Sequence, residues 1–168
     1  AIRKLEALLE ELRGWPSLAA YARADVLHDL GQILYEQAMV PNVKDGAALL
    51  ERALKLTREA HKIIGELFGP QFYQLARYEN ALGVIMRAQR RTDESLQHYR
   101  NAAELLLRAR GVTHSHLKLV QLNFADACRH AGRYKAARVA YARVLDFAAT
   151  KNLSDLTFQV HARYFRFL

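Results

Sequence analysis

The chain is 168 residues long and 51% hydrophobic, enough apolar material for the core of one domain, and with only three Pro and eight Gly it favours long helices over a many-turned sheet protein. No apolar run approaches the ~20 residues of a membrane-spanning helix, and the single cysteine, Cys128, excludes an internal disulfide framework and fits a reducing, cytoplasmic environment. The net charge of +8 arises in residues 69–168, where sixteen Lys and Arg face seven Asp and Glu, and this balance favours an acidic partner.

Two helices are predicted at the start of the chain. Apolar side chains recur at helical spacing over residues 1–13, and Gly14 and Pro16 then end this first helix. These apolar side chains are Ile2, Leu5, Leu8, Leu9 and Leu12. Ser17 is the predicted N-cap of a second helix that extends to about Gln37.

The rest of the chain is organised by a hairpin of two helices that returns after 42 residues. Gly83 of the first helix is matched by Ala125, and Tyr99 of the second helix is matched by Tyr141. Repeated small residues are informative because a larger side chain would push two closely packed helices apart. Gly31 marks an earlier copy of the same first helix. Self-similarity at this period predicts an all-α fold, an α-solenoid of antiparallel helical hairpins.

The earliest copy is the irregular one. Its loop at residues 39–46 is longer than the corners at residues 89–92 and 131–134. The following helix recovers the repeat register if Leu50 stands at the position of Tyr141. On that alignment the helix runs two turns beyond the end of its counterpart in the next copy.

We therefore expect one helical repeat domain over residues 1–168. Its predicted parts are a leading helix (1–17), three repeats (18–68, 69–110 and 111–152) and a terminal helix or the start of a further repeat (153–168). Residues 155–168 are apolar on almost every side. We expect a following element of the natural protein, or self-association with a second copy, to cover them.

The corner Gly132-Arg133-Tyr134, followed by Ala137 and Tyr141, resembles the turn and second helix of the tetratricopeptide repeat (TPR). The corner of the preceding copy departs from this pattern, because it carries an arginine, Arg90, where the family has its turn glycine. Both helices of the hairpin are also longer than is usual for the family.

The longer spacing resembles the 42-residue repeat of kinesin light chains. Residues 111–114, ahead of Leu-Asn-Phe-Ala at residues 122–125, are similar to the loop and first helix of that repeat. The resemblance implies a TPR-like superhelix that acts as a scaffold or adaptor in protein–protein interaction and binds a segment of a partner protein on its concave face. The helical lobe of SET-and-MYND methyltransferases looks similar too, so a lobe of a larger enzyme or regulator is an alternative.

The resemblance assigns the concave wall to the first helix of each hairpin. The partner-binding positions that it implies in copies two and three are Arg77, Asn80, Val84, Arg87, Leu119, Leu122, Asn123, Asp126, Arg129 and His130, and in copy one Asp25, His28, Gln32 and Tyr35. The two asparagines are expected to hold a peptide backbone, and the arginines to hold acidic side chains.

No pattern in the sequence is typical of an enzyme. His114 and His116 form the only close histidine pair, whereas a zinc site needs three or four converging ligands. Cys128 stands at a packing position, away from any residue that would activate its thiol. The expectation is therefore no catalytic residue, no metal and no cofactor.

An RNA-binding module is a further alternative, because the basic part of the chain would supply phosphate contacts. It is disfavoured by the placement of the aromatic residues. Tyr99, Tyr134 and Tyr141 are predicted at packing positions rather than exposed among basic side chains, where they would stack on bases.

Overall fold

The structure, a computed structural model, describes residues 1–12, 17–109, 114–150 and 160–161. Its helices are α1 (Ile2–Leu12), α2 (Ser17–Ala38), α3 (Gly46–Phe68), α4 (Leu75–Ala88), α5 (Thr92–Arg108), α6 (His114–His130) and α7 (Tyr134–Thr150), and residues 160–161 are helical as well. The described residues contain no strand, so the predicted all-α fold is confirmed. No helix in these ranges combines the length and the apolarity needed to cross a membrane.

The helices α2 to α7 pack as hairpins that stack in chain order. α2 packs against α3, α4 against α5 and α6 against α7, while α3–α4 and α5–α6 contacts join each hairpin to the next. The first helices of the hairpins also touch, α2 with α4 and α4 with α6, and α1 packs against α2. The arrangement is a solenoid of helical hairpins in which α2, α4 and α6 form one wall.

The closest approach inside a hairpin explains why the small residues repeat. A Cβ atom added to Gly83 of α4 would lie only 2.7 Å from Cε1 of Tyr99 on α5. The Ser95 hydroxyl donates a hydrogen bond of 2.7 Å to the Gly83 carbonyl oxygen across the same contact. Ala125, which matches Gly83 in the repeat, is fully buried, as is Ala102 of α5.

The predicted register of the first hairpin was wrong by two helical turns. A Cβ atom on Gly31 would meet Thr57 Oγ1 at 2.7 Å, so Thr57, and not Leu50, faces Gly31 as Tyr99 faces Gly83. Thr57 also lies 42 residues before Tyr99, as the repeat requires. The extra length of α3 therefore lies at its start, beside the loop. The error arose because an apolar stripe repeats after seven residues, so a slip of two turns leaves the hydrophobic pattern unchanged.

The corners of the second and third hairpins have the same geometry despite different residues. Gly132 has φ 69° and Arg90, 42 residues earlier, has φ 62°. Each corner closes with a hydrogen bond that reaches back five residues, from Arg91 N–H to the Met86 carbonyl and from Arg133 N–H to the Cys128 carbonyl. Both corners are Schellman caps, in which a left-handed residue is required and glycine carries the least strain.

The predicted packing positions are confirmed with one exception. Cys128, Tyr99 and Tyr141 are almost completely buried. Tyr134 is 55% exposed, so the prediction of a packing position was wrong for this residue. It is the first residue of α7 and lies at the tip of its hairpin, where fewer neighbouring helices cover a side chain.

Some predictions fall outside the described residues. These are the end of the first helix at Gly14 and Pro16, the side chains of Ser17 and His114, and most of residues 153–168. Within that last segment Val160 is helical and fully buried, in a core cluster that includes Tyr141.

Candidate partner-binding groove

A cavity of about 620 Å³ lies along the wall formed by the first helices. We call it the first-helix groove. It is lined from α2 by Tyr21, His28 and Gln32, from the segment before α4 by Tyr73 and Gln74, from α4 by Arg77, Asn80 and Val84, and from α6 by His116, Leu119 and Asn123. Half of the predicted partner-binding residues of copies two and three thus line a single cavity.

The two predicted asparagines are joined across the α4–α6 contact. Asn123 Nδ2 donates a hydrogen bond of 2.9 Å to Asn80 Oδ1. This bond leaves an N–H donor on Asn80 and a carbonyl oxygen on Asn123, and no other described side chain bonds these atoms. A donor and an acceptor side by side match the two hydrogen-bonding groups of a peptide unit.

Leu119 and Val84 form the apolar part of the groove. Leu119 is 48% exposed although it is a large hydrophobic residue, while Val84 is partly buried. One turn along α6 from Leu119, the asparagine pair supplies polar groups. An apolar side chain beside hydrogen-bonding groups for a backbone is the combination that peptide-binding grooves use.

Arg77 already has acidic partners in this structure. Its guanidinium lies 3.2 Å from Asp25 Oδ1 and 3.6 Å from Asp29 Oδ1, both on α2, and it also covers the ring of Tyr78. Two carboxylates share one cation here, so the α2–α4 end of the groove is not positively charged. Arg77 is half exposed, and water weakens its ion pairs accordingly.

The other five predicted residues do not line this cavity. Leu122 is only 2% exposed and belongs to the hydrophobic core, and Asp126 is buried as the acceptor of a hydrogen bond from the Tyr141 hydroxyl. That bond and burial raise the pKa of Tyr141 to about 12, with burial as the larger cause.

The remaining three of these residues form a basic cluster at the ends of α4 and α6. The Arg129 guanidinium donates to His130 Nε2 at 2.9 Å. Burial, followed by the charges of Arg129 and Arg87, lowers the pKa of His130. The cluster of Arg87, Arg129 and His130 therefore holds two permanent cations and a histidine that resists protonation.

Sequence reasoning missed the aromatic end of the groove. The Tyr21 hydroxyl donates to Gln74 Oε1 at 2.9 Å, and Tyr73 is exposed. The signal was present, because Tyr21 precedes Asp25, His28 and Gln32 at helical spacing on the same face of α2. Tyr21, the first member of that series, was not among the predicted partner-binding residues.

His28 is a partly buried titratable group of the groove. Its ring packs edge-on against Tyr78, with the centroids 5.0 Å apart, and its Nδ1 has no hydrogen-bond partner. Burial and then the Arg77 charge lower the pKa of His28 to about 4. The ring is therefore neutral near pH 7.

A buried carboxylate behind the groove also escaped prediction. Glu79 of α4 is 7% exposed and accepts hydrogen bonds from His61 Nε2 at 2.9 Å, His98 Nδ1 at 2.7 Å and Asn101 Nδ2 at 3.3 Å. Burial alone would raise its pKa, but the bonds from the two histidines outweigh burial and lower it to about 2. Glu79 thus ties α3, α4 and α5 together.

The cluster of Glu79, His61 and His98 does not have the arrangement of a metal centre. Each histidine bonds a different oxygen of Glu79. Among the described residues no group of three or more His, Cys, Asp or Glu side chains is arranged to hold a metal ion.

Stacked hairpins with a groove along their first helices define an α-helical repeat scaffold. Residues 74–150, from the residue before α4 to the end of α7, match the family model of the tetratricopeptide repeat. Repeats of this family generally mediate protein–protein interactions. No curated protein matches the chain.

Proposed function

We propose that this protein is a non-catalytic, cytoplasmic adaptor whose single repeat domain holds an extended segment of a partner protein in the first-helix groove. The observation that carries the proposal is the asparagine pair beside exposed Leu119 in one cavity. The pair offers one donor and one acceptor to a peptide unit, and Leu119 offers apolar surface to the neighbouring side chain.

The partner segment is acidic beyond its anchor. Arg87 follows Val84 by three residues of α4, and His130, which accepts from Arg129, follows Asn123 by about two turns of α6, so the basic cluster continues the wall past the groove. A segment anchored at Leu119 reaches these cations with residues on one side of the anchor. Charges at this rim act mainly through the association rate and its salt dependence.

The test is binding to an array of synthetic peptides with apolar anchors flanked by Glu or by Lys. Leu119→Glu places a charge in the groove and is expected to weaken the best Glu-flanked peptide about tenfold or more. Leu67→Glu is the matched control, because Leu67 is a similarly exposed leucine of α3 that lines none of the cavities described here. Equal binding by wild type and Leu119→Glu would place the partner elsewhere.

The charge part of the proposal has its own test. Arg87→Glu with Arg129→Glu should lower the association rate of the Glu-flanked peptide and reduce its salt dependence. An arbitrary single-stranded RNA, titrated over the same salt series, serves as the rival ligand. Tighter binding of the RNA, with a steep salt slope, would favour nucleic acid over an acidic protein segment.

A further inference from the structure

A second cavity, of about 540 Å³, is formed by the second helices α5 and α7 with α6 beneath them. We call it the outer groove. Its wall exposes two large apolar side chains, Leu107 at 68% and Val139 at 54%. Phe124 of α6 is partly buried at its base, under the Arg100 guanidinium, 5.8 Å from the ring centroid. Leu107 and Val139, on different helices, therefore line one cavity and offer apolar surface to a ligand.

The charged residues of the outer groove are all cations. They are Arg100, Lys135 and Arg143. None of the three forms an ion pair with a carboxylate of the described residues. Their charges are therefore available to the acidic side chains of a ligand, and the apolar surface between them is available to its apolar side chains.

The equivalent surface one hairpin earlier has different chemistry. The cavity between α3 and α5, of about 530 Å³, has its cations balanced within the chain, with Lys62 3.7 Å from Glu66 and Arg108 3.6 Å from Glu104. The outer groove lacks any such acid. The contrast shows that unbalanced positive charge is not a general property of second-helix surfaces in this fold.

Side chains at equivalent positions of the 42-residue repeat explain why the two cavities differ in charge and apolarity. The positions of His61, Gly65, Glu79 and Asn101 are taken by Ala103, Leu107, Gln121 and Arg143. A glycine becomes an exposed leucine, a buried acid becomes a neutral amide, and an amide becomes a cation. Each change favours an occupant that is apolar at its centre and acidic at its edges.

We infer that the outer groove is a second docking surface, and that its occupant is an acidic amphipathic helix of another protein. Leu107 lies seven residues after Arg100, so the groove is about 10 Å long, which matches about two turns of a helix. The apolar face of that helix packs on Leu107, Val139 and Phe124. Its acidic residues, one turn to either side, pair with Arg100, Lys135 and Arg143. The site does not depend on the first-helix groove, and the two can be tested separately.

The experiment selects a phage-displayed library of random peptides on the full chain and on its Leu107→Glu variant. The wild type should enrich peptides with apolar residues at helical spacing and Asp or Glu beside them, and Leu107→Glu should not. The affinity of the best peptide is then measured by fluorescence anisotropy. Arg143→Glu should weaken it about tenfold or more. Arg138→Glu, an exposed arginine on α7 that does not line the cavity, is the matched control and should leave the affinity unchanged.

Several outcomes would overturn the inference. One is a library that yields no binder dependent on Leu107, or binders without acidic residues. Another is a peptide that Leu119→Glu weakens as much as Leu107→Glu does, which would place it in the first-helix groove. Sedimentation that shows a dimer in the wild type, lost in Leu107→Glu, would make a second copy the occupant. A gain of peptide affinity on Phe165→Glu would make the chain's own residues 151–168 the occupant.

Discussion

The Gly83→Ala substitution tests the packing that defines the hairpin. The added methyl carbon would lie 2.7, 2.9 and 3.0 Å from three ring atoms of Tyr99. Ordinary contact starts at 3.4 Å, so the ring or the helix has to move by about 0.7 Å. Tyr99 is fully buried, and its ring is rigid, so no flexible chain end absorbs the movement.

Two opposing effects set the magnitude. Overpacking of this kind costs about 1–3 kcal/mol, whereas alanine is favoured over glycine inside a helix by about 1 kcal/mol. Gly65→Ala in α3 isolates the second effect, because a Cβ atom at Gly65 meets nothing within 4 Å. We therefore expect Gly65→Ala to stabilise the protein by roughly 0.5–1 kcal/mol. The free energy of unfolding of Gly83→Ala should be about 1–3 kcal/mol lower than that of Gly65→Ala.

The assay is urea unfolding followed by circular dichroism, with the free energy of unfolding compared across the variants. In a Tyr99→Leu background, which removes most of the ring, the same Gly83→Ala change should lose its unfavourable component. Equal stabilisation by Gly65→Ala and Gly83→Ala would refute the close contact between α4 and α5, and with it the reason for the repeated small residue.

Three further predictions concern strain and charge. Arg90→Gly should raise the free energy of unfolding by about 1 kcal/mol in the same urea assay, because it removes the strain of an arginine in the left-handed conformation. Gly132→Ala should lower the free energy of unfolding by a similar amount. An unchanged free energy in both variants would show that neither corner is strained. Glu79→Gln should lower the free energy of unfolding by about 2–3 kcal/mol near neutral pH, because the folded pKa of about 2 lies below the unfolded value of 4.5, so the stabilisation is present above pH 4.5 and is lost as pH falls toward 2. An acid-unfolding profile below pH 4.5 that is the same in Glu79→Gln and wild type would contradict this. His28, whose pKa falls from 6.5 to about 4 on folding, should make the wild type lose about 2 kcal/mol of stability between about pH 7 and about pH 5, since only the unfolded chain takes up the proton there. His28→Phe should abolish that part of the slope, and an unchanged slope would show that folding does not lower the pKa of His28.

The sequence alone predicts those parts of the fold that repeat. Gly83 with Tyr99, and Ala125 with Tyr141, recur in one alignment, so the hairpin and its corners were predictable from spacing alone. The register of α3 was not, because a slip of seven residues preserves the apolar stripe. The 42-residue spacing between Thr57 and Tyr99 and the contact between Gly31 and Thr57 distinguish the two registers.

The first-helix groove was only partly predictable from the sequence, because it too depends on contacts between helices. Helical spacing identifies which residues share a face, and it brought Asn80, Asn123 and Leu119 to the same wall. It does not identify partners on other helices. The pairing of Arg77 with Asp25 depends on how α2 lies against α4, and the hydrogen bonding of Glu79 depends on histidines from α3 and α5. An acid on the apolar stripe of α4, between Leu75 and Leu82, was the one available sign of such partners.

The repeat also constrains where along the wall the apolar anchor of a partner segment would lie. Arg77 and Leu119 occupy equivalent positions of successive hairpins, 42 residues apart, yet one is an ion-paired cation and the other an exposed apolar side chain. The first-helix groove is therefore polar at its α2–α4 end and apolar at α6. In the proposed complex, an anchor shifted by one hairpin would press onto the Arg77–Asp25 pair and strip water from it. Dehydrating an ion pair without a new partner is unfavourable, so the groove favours the position that places the anchor on Leu119.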